Sequence, residues 1–144
     1  MPTKIQTVLL TGRSHTMYSG GPEKVDMLLS TPDNSGKNIE FKAVQMHPTA
    51  EQLFAGAWSA CYIAALAFVG KAMKVKLPAD LAVDIEVDLG KIGDAYQLQA
   101  RFYVSMPGLE SEVAQSIAHA AHDMCPYSKA VKGNIDVDME VQVA

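Results

Sequence analysis

The sequence predicts an α+β domain in which about six mostly antiparallel strands wrap one long apolar helix, with a second helix beside it. Three observations lead there. The run from Leu53 to Gly70, "LFAGAWSACYIAALAFVG", has no charged residue in 18 positions. Around it lie stretches of period-two alternation, strictest in "LAVDIEVDLG", "YQLQARFYV" and "NIDVDMEVQV". A length of 144 residues with 49% apolar side chains suits a single domain, 1–144, with one sizeable core.

In chain order, "IQTVLL", "KVDMLLS" and "NIEFKAV" are weaker strand candidates, and "SHTMYSGGPE" and "TPDNSGKN" read as turns or loops. The long helix has a legible start. Thr49, Ala50, Glu51 and Gln52 fit a capping box, with Glu51 at the positive end of the dipole. Lys71, Lys74 and Lys76 mark its other end, before Pro78. The run is long enough to cross a membrane, but six of its 18 residues are alanine, two are glycine, and Ser59, Cys61 and Tyr62 interrupt it. It is the only such run in a chain of mean hydropathy +0.05, so it reads as the core helix of a soluble fold rather than a membrane span.

Next, Leu81, Val83, Ile85, Val87 and Leu89 alternate with charged residues. Tyr96, Leu98, Ala100, Phe102 and Val104 repeat the pattern after the turn "GKIGD", which predicts a hairpin. Leu109, Val113, Ile117, Ala121 and Met124 recur at helical spacing, and Pro126 biases Cys125 away from helical geometry. Ile135, Val137, Met139, Val141 and Val143 form one face of a last strand.

Twelve basic and 16 acidic residues give a net charge of −4, with no basic cluster interleaved with aromatics to neutralise a row of phosphates. Nucleic acid is excluded as an expected partner. The N-terminal segment has only the short apolar run "VLL" and no Arg-rich amphipathic pattern, so a cytoplasmic chain with reduced thiols is expected.

The chain has two cysteines, Cys61 in the apolar helix and Cys125 at the frayed end of the second helix. Four readings stand open: inert core thiols, a structural staple, a metal site and a redox couple. Free cysteines are commonly buried small hydrophobes. A staple needs alpha carbons within about 7 Å and is disfavoured in a reducing compartment. "HAAHDMC" spaces His119, His122 and Cys125 by three residues, but without a CxxC or HExxH partner motif, so no metal is expected. In a redox couple Cys61 is the attacking thiol, because Cys125 meets the negative end of a helix dipole. His122, in the last helical turn, suits that dipole as a cap.

"AEQLFAGAWSACYIAAL" around Cys61 and "AHDMCPYSKAVKGNIDV" around Cys125 closely resemble the organic hydroperoxide resistance proteins, the Ohr branch of the OsmC/Ohr superfamily. The resemblance runs over nearly the whole chain, and "CPYS" followed by "GNIDV" is its most specific part. It implies an OsmC/Ohr-like fold in an intertwined homodimer, and a thiol peroxidase for organic and fatty-acid hydroperoxides. It implies that Cys61 is the peroxidatic and Cys125 the resolving cysteine, with no bound cofactor and with dihydrolipoamide or lipoylated proteins as electron donors. Arg13 in "TGRS" is implied as the arginine that steadies the thiolate and Glu51 as the acid that orients it. Thr49-Ala50 stand where the family usually carries Asn-Pro. Phe54, Trp58, Phe68 and Tyr127, near the two motifs, are candidates for an apolar substrate wall. Glu51 lies ten residues before Cys61, about 15 Å along one helix, so either Arg13 bridges the gap or Glu51 serves a Cys61 of the other subunit. The competing expectation is a non-catalytic, OsmC-like binder of apolar molecules with both cysteines in the core.

Overall fold

The computed structural model describes residues 4–18, 25–32, 38–42 and 49–144. In chain order these form β1 (Thr7–Tyr18), β2 (Val25–Pro32), β3 (Asn38–Lys42), α1 (Ala50–Ala72), β4 (Ala82–Ile92), β5 (Ala95–Ser105), α2 (Ser111–Met124), α3 (Pro126–Val131) and β6 (Asp136–Gln142). One six-stranded sheet has the order β3-β2-β1-β4-β5-β6. Every pairing is antiparallel except β5 with β6. A parallel pair cannot be joined by a tight turn, and here α2 and α3 form the crossover.

Local chemistry explains the best-defined boundaries. The Thr49 hydroxyl accepts from the Gln52 amide at 3.1 Å, and the Gln52 side chain accepts from the Thr49 amide at 2.9 Å. This is the expected capping box. The β4–β5 hairpin closes with Ile92 opposite Ala95, and Gly93 takes φ +59 in the two-residue turn, a conformation that favours glycine. Pro126 holds Cys125 at φ −57, ψ 121, which ends α2. The same proline starts α3 at its first position, where a missing N–H costs nothing. The sequence signals did not include α3.

β1 extends to Tyr18, through residues that the sequence assigned to a turn. Its inward face is polar, which hides the alternation. Ser14 Oγ donates to the Ala55 carbonyl at 3.2 Å, and the Thr16 and Ser59 hydroxyls meet at 2.8 Å. The remaining residues of both expected turns, 19–23 and 33–37, lie outside the described residues, as does Lys24 of the strand candidate that follows the first. Gly12 lets the start of α1 approach most closely: a Cβ there would stand 2.4 Å from the Gln52 nitrogen.

Among the described residues one hydrophobic cluster fills the space between the sheet and the helices. Trp58, Tyr62, Ile63 and Leu66 enter it from α1; Val83, Ile85 and Val87 from β4; Phe102 and Val104 from β5; Ile117 and Ala121 from α2. Within a single chain α1 is covered on one side only. Leu53, Ala57, Ala64 and Phe68 are exposed and Cys61 is half-buried on the same stripe.

The sheet face turned away from α1 carries a charged ladder. Arg13 bonds Asp84 and Glu86, His15 bonds Asp84, and Arg101 bonds Glu86 and Asp88. Burial alone would push the Asp88 carboxyl up, but hydrogen bonds from Arg101, Thr11 and Gln99 outweigh it and hold the group below its ordinary range. Asp84 is held low in the same sense, with His15 and Arg13 overcoming burial. A carboxyl depressed in the folded state stabilises above its unfolded pKa of about 4, and that stability is lost as pH falls through the folded value.

Two predictions follow from these contacts. Urea midpoints should decline from pH 6 to pH 3, and Asp88→Asn should flatten that slope while costing about 1–3 kcal/mol at pH 7. Gly12→Ala should cost about 1–3 kcal/mol through overpacking against α1, read from thermal or urea unfolding. A variant as stable as the parent would mean that α1 does not sit on β1 this closely.

Candidate active site

The fold brings the two cysteines together across 64 residues of sequence, with Sγ to Sγ at 3.0 Å, both as free thiols. Cys61 comes from the middle of α1, and Cys125 from the break between α2 and α3. Their environments differ. Cys125 is fully buried, whereas Cys61 is half-buried and reaches the surface along the exposed stripe of α1. A reactant arriving from solvent meets Cys61 first. Burial pushes the Cys61 thiol above its ordinary range, and its contact with Cys125 adds to this. The backbone of Tyr127 acts in the other direction and lowers it.

Arg13 does not reach this pair within the chain. On β1 the side chains alternate, so Gly12 and Ser14 face α1 and Arg13 faces away from it. There the guanidinium bonds Asp84 and Glu86 and lies 5.5 Å from the centre of the Tyr103 ring. Both carboxylates raise its pKa against the opposing effect of burial. The expectation that Arg13 steadies the Cys61 thiolate is corrected for a single chain: the sheet stands between them. Among the described residues no cation acts on Cys61. Glu51 lies in the first turn of α1, buried, as the helical spacing from Cys61 requires. Among the described residues its carboxylate has no hydrogen-bond or ion-pair partner.

The chain that carries this thiol pair is similar to known proteins in sequence and in fold. The OsmC-like protein family model matches residues 43–140. The chain belongs to the OsmC-like family. The organic hydroperoxide resistance protein of Xanthomonas axonopodis pv. citri is 33% identical over 88% of this chain and 91% of its own length. An uncharacterized protein of Acinetobacter baylyi is 40% identical over 63% of this chain and 64% of its own length. The crystal structure of an organic hydroperoxide resistance protein from Elizabethkingia anophelis has a TM-score of 0.64 at 28% identity. It covers 97% of this chain and all of that one.

In this OsmC-like chain the four aromatic candidates divide. Trp58 is fully buried, so it does not form a substrate wall. Its ring lies edge-on to Phe54 at 5.5 Å and to Phe102 at 4.9 Å, and its Nε1 donates to Ser128 Oγ at 2.9 Å. Phe54 is half-buried, Phe68 is 62% exposed and Tyr127 is 49% exposed. Phe54 and Phe68 each stand seven residues from Cys61, two helical turns away on the same side of α1. His122, expected as a cap, lies in the last turn of α2. Burial lowers its pKa, its ring lies against Phe102, and among the described residues its buried Nδ1 has no hydrogen-bond partner.

Sequence reasoning missed Ser128 and the Tyr127 backbone. A signal existed for the first. Trp58 and Tyr62 lie in an apolar helix, and a buried indole or phenol needs a partner. Tyr62 Oη finds the Ala118 carbonyl at 2.8 Å, and Trp58 finds Ser128.

Arg13→Gln should leave the rate of Cys61 alkylation by iodoacetamide unchanged while lowering stability by about 1 kcal/mol. A large drop in alkylation rate at unchanged stability would restore Arg13 to the thiol site.

Proposed function

We propose that this chain is a thiol peroxidase that reduces organic and lipid hydroperoxides to alcohols, working as a homodimer. The observation that carries this reading is the 3.0 Å pair of free thiols in which one sulfur is reachable from solvent and the other is buried. The Cys61 thiolate attacks the terminal peroxide oxygen, the O–O bond breaks, and the alcohol leaves with a proton. Cys61 is now a sulfenic acid. The Cys125 sulfur displaces its hydroxyl as water and forms the Cys61–Cys125 disulfide. A dihydrolipoyl group, free or on a lipoylated protein, reduces the bond by exchange and leaves as the cyclic disulfide.

The apolar surroundings of Cys61 favour an alkyl or fatty-acid hydroperoxide over hydrogen peroxide, because Phe54, Ala57, Ala64 and Phe68 share its side of α1. The same stripe supports the dimer. It is an apolar helix face left uncovered within one chain. A second copy covering part of it and leaving Cys61 open to solvent would also bring new groups near Cys61 and near Glu51, whose carboxylate has no partner among the described residues. The thiolate needs such help against the rise caused by burial.

One equivalent of cumene hydroperoxide should remove two hydrogens from the protein mass and add no oxygen. Cys61→Ser should abolish turnover, and Cys125→Ser should let Cys61 proceed to the sulfinic acid. An unchanged wild-type mass would favour a non-catalytic binder of apolar molecules. Sedimentation should give a dimer at micromolar concentration; a fully active monomer would overturn that part of the reading.

A further inference from the structure

Cys125 lies in the core cluster, in the short stretch between two helix ends. Its position relative to Cys61 therefore depends on what holds α2 and α3 against α1. Besides the packing of Ile117 and Ala121 in the core, two side-chain hydrogen bonds do so among the described residues, and both come from residues beside Cys61 on α1. Tyr62, one residue after it, donates from Oη to the Ala118 carbonyl of α2 at 2.8 Å. Trp58, three residues before it, donates from Nε1 to Ser128 Oγ in the first turn of α3 at 2.9 Å. Cys125 lies between these two attachment points.

The Trp58 to Ser128 bond is the more informative of the two. Both residues are out of water, at 0% and 3% exposure, so water cannot replace either partner at low cost. Between Phe54 and Phe102 the indole has no room to swing, which makes its N–H a fixed point. Ser128 follows Cys125 by three residues and Tyr127 by one. The same bond thus sets both the buried sulfur and the Tyr127 backbone that acts on Cys61. The other side chains of this turn do not contribute a comparable hold, since Pro126, Tyr127 and Lys129 are exposed.

We propose that Ser128, anchored by the Trp58 indole, is a positioning residue for the resolving step: it holds Cys125 within bonding range of Cys61 so that the disulfide outcompetes further oxidation. The proposal rests on the peroxidase reading for its purpose. Its physical content is the effective concentration of one thiol at the other, which can be measured without peroxide.

The test equilibrates the full-length protein with reduced and oxidised glutathione and quantifies the Cys61–Cys125 disulfide by mass. The variants are Ser128→Ala, Trp58→Phe, the double variant and Ser128→Thr. Ser128→Ala and Trp58→Phe should each lower the effective concentration about tenfold, as expected for a lost buried hydrogen bond. The double variant should match Ser128→Ala rather than show the product of the two losses. Ser128→Thr, which keeps the hydroxyl, should restore most of the loss. With excess cumene hydroperoxide, Ser128→Ala should accumulate Cys61 sulfinic acid at peroxide levels where the wild type stops at the disulfide.

Wild-type glutathione equilibria in Ser128→Ala and Trp58→Phe, even with lowered melting temperatures, would overturn the proposal. Multiplicative losses in the double variant would also overturn it. Failure of the peroxidase reading looks different: peroxide leaves every variant's mass unchanged, while the glutathione equilibria still rank the variants.

Discussion

The seating of α1 on the inner face of the sheet is the interaction on which the rest depends. It is closest at β1, where Gly12 offers no Cβ and Ser14 and Thr16 reach hydroxyls to the helix. Small residues there bring the helix down onto the strand, and the larger Val83, Ile85, Phe102 and Val104 of β4 and β5 fill the space beneath its flank. This fixes the rotation of α1 about its own axis. Trp58 and Tyr62 then point into the core toward α2 and α3, and Cys61 between them falls at the border of core and surface. A thiol deeper in the core would be unreachable, and one farther out could not meet Cys125.

Much of the fold was legible because its signals are local. The Thr49 to Gln52 capping box, the β4–β5 hairpin and the break imposed by Pro126 each depend on a few adjacent residues, and each lies where the sequence put it. The last strand's alternation likewise survives, with Val137, Met139 and Val141 against the core. The two cysteines were legible as a candidate pair, and the structure joins them.

What was hidden depends on tertiary contact. A helix apolar on all sides carries no pattern to say which side the sheet will cover, so the exposure of Phe68 and the burial of Trp58 could not be told from each other. The polar inward face of β1 looked like a turn. Arg13 looked free for service at a thiol until the strand's alternation placed it with Asp84 and Glu86 on the far side. α3 escaped because the proline that ends α2 is also a favoured first residue for the next helix.

The separation of the two cysteines along the chain has a consequence for endurance. A disulfide between positions 64 residues apart would enclose the second half of α1 and all of β4, β5 and α2 in one ring. By loop-closure entropy such a ring disfavours the unfolded chain by roughly 4 kcal/mol. The oxidised protein would then be the harder one to unfold and the reduced protein the softer. Resistance to heat or proteolysis would report the redox state of the chain, and a molecule waiting for its reductant would be protected while it waits.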